Sequence, residues 1–126
     1  MNNFKEELEK IKQDCSSPDW DGYGALPLNE TSVRLAKEFI KRVMELYPEL
    51  PYPELCPEPD GCLGFDWRQN LHQFAVSIDA QYLLSYTHRH PNYKSTCGDI
   101  GYNKKQSPLL LKRYFELLTG KDNPND

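Results

Sequence analysis

Apolar residues recur along this chain in two periods, and the change from one to the other divides it. In residues 3–14, Phe4, Leu8, Ile11 and Cys15 fall at spacings of four, three and four, with Lys5, Glu6, Glu9, Lys10 and Lys12 between them. This is the stripe of an amphipathic helix, which Asn2 or Asn3 can cap. Ser16-Ser17-Pro18 stops it, because proline disfavours helical geometry in the residue before it. A longer helix is predicted from its cap Asn29 to about Tyr47, with Val33, Ala36, Ile40, Val43 and Tyr47 on one face, widened by Leu35, Phe39 and Leu46. Prolines at 48, 51, 53, 57 and 59 then exclude a helix and any central strand, so this connector runs extended and ends in an edge strand.

Beyond Pro59 the period becomes two. Leu63, Phe65 and Trp67 alternate with Gly64, Asp66 and Arg68, and Phe74, Val76 and Ile78 alternate with Gln73, Ala75 and Ser77. Residues 82–88 form a third run, and turn signals at Pro59-Asp60-Gly61, Gln69-Asn70 and Asp79-Ala80-Gln81 separate the runs. The pattern fades over residues 89–106 into a polar loop with a short strand around Ile100-Gly101-Tyr102. Ser107 as cap and Pro108 at the first position open a last helix, whose buried face is Leu110, Leu111, Tyr114, Leu117 and Leu118. Gly120 ends it, and residues 121–126 read as a frayed tail. The expected fold is one α+β domain over residues 1–126. Two N-terminal helices, a three- to four-stranded antiparallel β-meander and a C-terminal helix follow in that order, with the helices on one sheet face.

Between the first two helices lies Trp20-Asp21-Gly22-Tyr23-Gly24-Ala25-Leu26-Pro27, two aromatics with glycines and a carboxylate between them. Glycine permits positive φ, so the loop can fold tightly and aim its rings inward. Trp20, Tyr23 and Trp67 are thus expected to plug the seam between helices and sheet; a cage of aromatic walls for a cation or base is the alternative. In Pro59-Asp60-Gly61, proline presets φ and glycine takes the left-handed position of a turn. Together, the W-D-G-Y-G-A loop before a helix and the P-D-G turn before the strand bearing Phe65-Asp66-Trp67 resemble a group of small bacterial and phage-borne proteins of unknown function. The resemblance covers roughly residues 5–90 and implies an α+β domain, with no catalytic activity to carry over. Those proteins tend to read leucine-glutamate-tryptophan where this chain has Phe65-Asp66-Trp67.

With 126 residues and 38% apolar positions the chain suffices for one folded core. No apolar run reaches the roughly 18 residues of a membrane span, and residues 1–7 lack the basic start and apolar centre of a signal peptide, so a cytoplasmic protein with no membrane partner is expected. Cys15, Cys56, Cys62 and Cys97 show no C-x-x-C spacing and are expected as free thiols. The net charge of −4 is unevenly spread, with seven basic against fourteen acidic residues in 1–66 and eight against five in 67–126. Nucleic acid is therefore not favoured as a partner of the whole surface. A local basic stretch contains Arg89, Lys94, Lys104, Lys105, Lys112 and Arg113.

Candidate chemistry concentrates in residues 88–99. On one strand His88 and His90 would share a face, and Cys97 could return to them as a third metal ligand, with Cys56 or Cys62 as a fourth. Alternatively, His88 or His90 could activate Cys97, oriented by Asp99, as a nucleophile. Asp21, Asp60 and Asp66 offer carboxylates, but Asp60 is better explained by its turn and Asp21 by backbone hydrogen bonds within its glycine loop, and Gly22-Tyr23-Gly24 lacks the third glycine of a dinucleotide fingerprint. For recognition, Tyr82, Tyr86, Tyr93 and Tyr102 lie beside the basic stretch, and Tyr93, Tyr102, Lys104, Lys105 and Arg89 form the expected binding set.

The sequence thus favours a non-catalytic protein-binding module without a cofactor, an inhibitor, antitoxin-like or immunity-type accessory of bacterial or phage–host conflict. Its partner is another protein, and the charge segregation also suits a homo-oligomer. The alternatives are a small metal- or Cys/His-dependent hydrolase or nuclease using residues 88–99, and a local single-stranded nucleic-acid binder.

Overall fold

The computed structural model describes residues 2–120, the side chains of residues 2 and 3 excepted; the caps expected at Asn2 or Asn3 and the tail over 121–126 lie outside the described residues. Two helices, α1 (Asn2–Asp14) and α2 (Glu30–Leu46), precede five strands. These are β1 (Glu54–Pro57), β2 (Leu63–Gln69), β3 (His72–Ile78), β4 (Leu83–His90) and β5 (Tyr93–Gly101), followed by α3 (Ser107–Leu110) and α4 (Lys112–Leu118). The strands form one antiparallel sheet in chain order. It is an α+β fold with five strands rather than three to four. The proline-rich connector does end in an edge strand, β1, whereas residues 93–101, expected mostly as loop, form the longest strand. At the free edge β5 pairs on one side only and leaves most of its side chains exposed, so no apolar alternation is required of it.

The helix pattern of α2 holds. Asn29 caps it with a side chain that accepts from Thr31 N (2.8 Å) and Ser32 N (3.2 Å). Val33, Leu35, Ala36, Phe39, Ile40 and Val43 are buried against the sheet, and so is Ser32, which the apolar stripe did not include. Its hydroxyl donates to Ile78 O (2.5 Å) and accepts from Leu63 N (3.0 Å), bolting the first turn of α2 to β3 and β2. Ser32→Ala strands a buried carbonyl and a buried N–H, and is expected to lower stability by about 1–3 kcal/mol per stranded group, read from denaturant unfolding.

Register places Leu63, Ile78, Leu84 and Ile100 in one row across the sheet, Phe65, Val76 and Tyr86 in the next, and Trp67, Phe74 and His88 in a third. These rows face the helices, and Trp67 meets Phe115 edge-on at 5.4 Å between ring centroids. The expected single C-terminal helix is broken at Leu111, whose backbone (φ −98°, ψ 11°) leaves the helical region. This turns the buried face, so Phe115 is in the core while Leu110 is exposed, against expectation. Ser107 does not cap α3: its buried hydroxyl accepts from Asn103 N (2.8 Å), and Asn103 Oδ1 takes up Lys105 N (2.9 Å) and Gln106 N (3.0 Å).

Candidate functional site

The Trp20–Pro27 loop closes on carboxylates. Asp21 Oδ1 accepts from Tyr23 N (2.8 Å) and Ala25 N (3.1 Å), Asp19 Oδ1 accepts from Gly24 N (2.6 Å), and Trp20 Nε1 donates to Leu26 O (2.7 Å). Gly22 and Gly24 adopt φ of +78° and +83° with open space where a Cβ would stand, so they are required by backbone conformation and not by crowding. Because these bonds close the loop without the Tyr23 ring, Tyr23 does not turn inward as expected: it is 93% exposed, with Leu26 57% exposed beside it and Trp20 half-buried. Trp67, by contrast, is in the core. The expected aromatic seam or cage of Trp20, Tyr23 and Trp67 is therefore not assembled.

The two motifs meet. Leu26 N donates to Pro59 O (2.8 Å) and Asn29 N to Gly61 O (2.8 Å). Gly61 (φ +91°) is the left-handed residue of the turn closed by Gly61 N on Glu58 O (2.9 Å), and Asp60 Oδ1 accepts from Cys62 N (3.0 Å). A Cβ at Gly61 would stand 2.9 Å from Pro27 O, so glycine is needed there for close approach as well as for φ. The P-D-G turn is thus the seat on which the aromatic loop rests, and Tyr23 projects from a braced platform.

A second cluster lies at the far corner of the inner sheet face. All three histidines of the chain converge there. His72 Nδ1 and His88 Nε2, both buried, are hydrogen-bonded at 2.9 Å, and His90 tilts against His72 at 4.2 Å between centroids. Tyr93 meets His72 edge-on at 5.2 Å, and Tyr114 of α4 tilts against His88 at 5.3 Å. His90 Nδ1 accepts from Asn92 N (3.0 Å), which fixes it beneath the β4–β5 turn. His72 is the member that the sequence reading missed, although its alternation with Phe74 already placed it on this face.

The bond between His72 and His88 needs one donor and one acceptor, so a proton on both rings breaks it. Burial first, then His90 and Arg113, hold His88 below its ordinary value of 6.5. A histidine so held contributes its full stability above 6.5 and loses it as pH falls, because the unfolded chain then takes up a proton more readily than folded His88 does. Tm is expected to drop on going below this value, and thermal melts of a His72→Phe, His88→Phe double variant should show a smaller drop.

The other candidates disperse. Cys97 pairs with Thr87, one register step from the His88–Thr96 pair, and so lies on the opposite sheet face from the histidines, as does Asp99 opposite Ser85. Among the described residues no group of three His, Cys, Asp or Glu side chains is arranged to hold a metal ion. Burial above all, and nearby carboxylates, push the Cys56 thiol up to about 11 and the Cys62 thiol to about 12, away from thiolate chemistry. Asp66 is engaged by Arg68 Nε (3.0 Å) and Gln73 Nε2 (3.4 Å).

Tyr102 is buried and donates to Glu38 Oε1 (2.9 Å), so it supports α2 and offers no surface contact. Tyr93 belongs to the histidine corner. Arg89 lies by the Tyr93 end of β5 and Lys104 and Lys105 beyond its Gly101 end, so roughly 25 Å of strand separates them at about 3.3 Å per residue. The expected binding set does not form one patch. No protein-family model, curated protein or solved structure matches this chain. Among the described residues no helix is long and apolar enough to cross a membrane.

Proposed function

We propose that this chain is a non-catalytic protein-binding module, an inhibitor, antitoxin-like or immunity-type accessory of bacterial or phage–host conflict, with its contact centred on Tyr23. The single observation that carries the reading is the exposure of that tyrosine, 93%, on a loop whose backbone is already fixed by Asp19 and Asp21. A large amphipathic ring held in place before binding loses little conformational entropy when a partner covers it. Leu26 and Trp20 flank it with further apolar surface. The assignment to conflict systems rests on the resemblance of the W-D-G-Y-G-A and P-D-G motifs. Native mass spectrometry of the untagged protein from its own cytoplasm tests the reading: a complex with a defined second protein supports it, and bare chain alone opposes it.

The histidine corner favours a second reading, a small hydrolase or nuclease, now built on His72, His88 and His90 in place of Cys97 and Asp99. A screen of ester, phosphodiester and single-stranded DNA substrates separates the two: turnover abolished by His72→Phe supports the enzyme, and no turnover opposes it. Single-stranded nucleic acid finds less to hold, with Tyr102 buried and the lysines distant from Tyr93.

A further inference from the structure

A trench runs between α1 and α2. Its larger end, about 820 Å³, has Leu8 and Ile40 at its base and Met44 beside them, and is bounded by Phe4 and Tyr52, whose rings lie 4.7 Å apart. Lys37 lines this end and also the next, about 460 Å³, which Lys12, Arg34 and the two residues at the base of the Tyr23 loop, Ser16 and Leu28, complete. From Glu30 to Glu45 the trench follows α2 for about 22 Å, about four turns of helix at 1.5 Å per residue.

Charge is sorted into it. Five of the seven basic residues of 1–66 line the trench, against three of the fourteen acidic ones. Lys5 on α1 and Lys37 and Lys41 on α2 have no carboxylate partner among the described residues. Arg34, Lys37 and Lys41 follow one another at spacings of three and four, which makes one row along α2 about 10 Å long. Of the three carboxylates, Glu9 is held by Lys12 at 3.5 Å, and Glu30 stands in the first turn of α2, where the helix N-terminus offsets its charge. Glu45 alone remains against the row and Lys5.

We propose that this trench receives an acidic amphipathic helix of another protein, its apolar face on Ile40, Met44, Phe4 and Tyr52 and its carboxylates against the cationic row. The row selects a helix. Carboxylates at i, i+3 or i+4, and i+7 meet all three cations, whereas the single headgroup of a fatty acid meets one, and a nucleic-acid strand leaves Leu8, Ile40 and Met44 uncovered. The proposal rests on the protein-binding reading and adds to it the chemistry of the partner, whose helix would end at the base of the Tyr23 loop.

The probe is a fluorescein-labelled peptide of about 15 residues, long enough for those four turns, with leucines at helical spacing and glutamates on both flanks. Followed by anisotropy on the purified chain, it is expected to bind at least tenfold tighter than the same peptide with lysine at every glutamate. The double variant Lys37→Glu, Lys41→Glu is expected to reverse that preference, and both lysines are exposed, so the fold is kept. No binding of the glutamate peptide, equal binding of the two peptides, or an affinity unchanged in the double variant overturns the proposal. So does oleate or a single-stranded oligonucleotide that binds where the peptide does not, or a second copy, seen as a dimer by light scattering that the double variant dissolves. The peptide is read without the partner of Tyr23, and capture of that partner without the peptide, so the trench and the Tyr23 contact fail separately.

Discussion

Tyr23→Ala is expected to weaken partner binding by about 30-fold or more while leaving Tm unchanged. The factor follows from the roughly 2 kcal/mol that marks a hot spot, at about 1.4 kcal/mol per tenfold. A ring of this size covers about 150–250 Å², worth about 4–6 kcal/mol at 25 cal/mol per Å² before ordering costs are subtracted. Stability is spared because the loop is closed by the backbone N–H of Tyr23 on Asp21, which alanine retains, and the ring is 93% exposed. Asp21→Ala makes the complementary case. It keeps the tyrosine but frees Tyr23 N and Ala25 N, so affinity is expected to fall through loss of preorganisation. Titration of the purified partner with each variant, beside thermal melts, checks both.

The largest effect on stability is expected from Trp67→Ala. Trp67 is 1% exposed and touches Phe65 (5.9 Å), Phe74 (6.2 Å) and Phe115 (5.4 Å) between ring centroids, so it joins adjacent strands to α4. Its indole N–H donates to Pro51 O (3.0 Å), tying the proline connector to the core. Truncation removes a large buried ring and strands that carbonyl, a loss of about 3–5 kcal/mol from a total of roughly 5–15 kcal/mol. Tm is expected to fall by roughly 10–20 °C, measured by calorimetry. Trp67→Phe keeps most of the packing, loses the Pro51 bond, and is expected to fall between the two.

What the sequence made legible was what period and punctuation control. Asn29, the α2 stripe, the alternation through Leu63–Trp67 and Phe74–Ile78, and the left-handed Gly61 all act through local backbone preference, and each stands where it was expected. β5 was not legible because an edge strand is held by its neighbour's backbone, which residue type scarcely encodes. The break at Leu111 carries no glycine or proline at the break itself, and Phe115 replaces Leu110 in the core only through the resulting rotation. In the candidate sites, Tyr23 was misplaced because aromatic rings near glycines suggest burial, while the carboxylates of Asp19 and Asp21 had already closed the loop. Cys97 fell to strand parity, and His72 could have been found by the same parity had it been counted with Phe74.

The central claim is that a fixed loop presents Tyr23 to another protein. Wild-type chain and Tyr23→Ala, each expressed at native level, are captured from lysates of the same cells, and the co-purifying proteins are quantified in one mass-spectrometric run. The account predicts a second protein in stoichiometric amount with the wild type and its loss from the variant. A partner retained equally by both chains, or none with either, would contradict it.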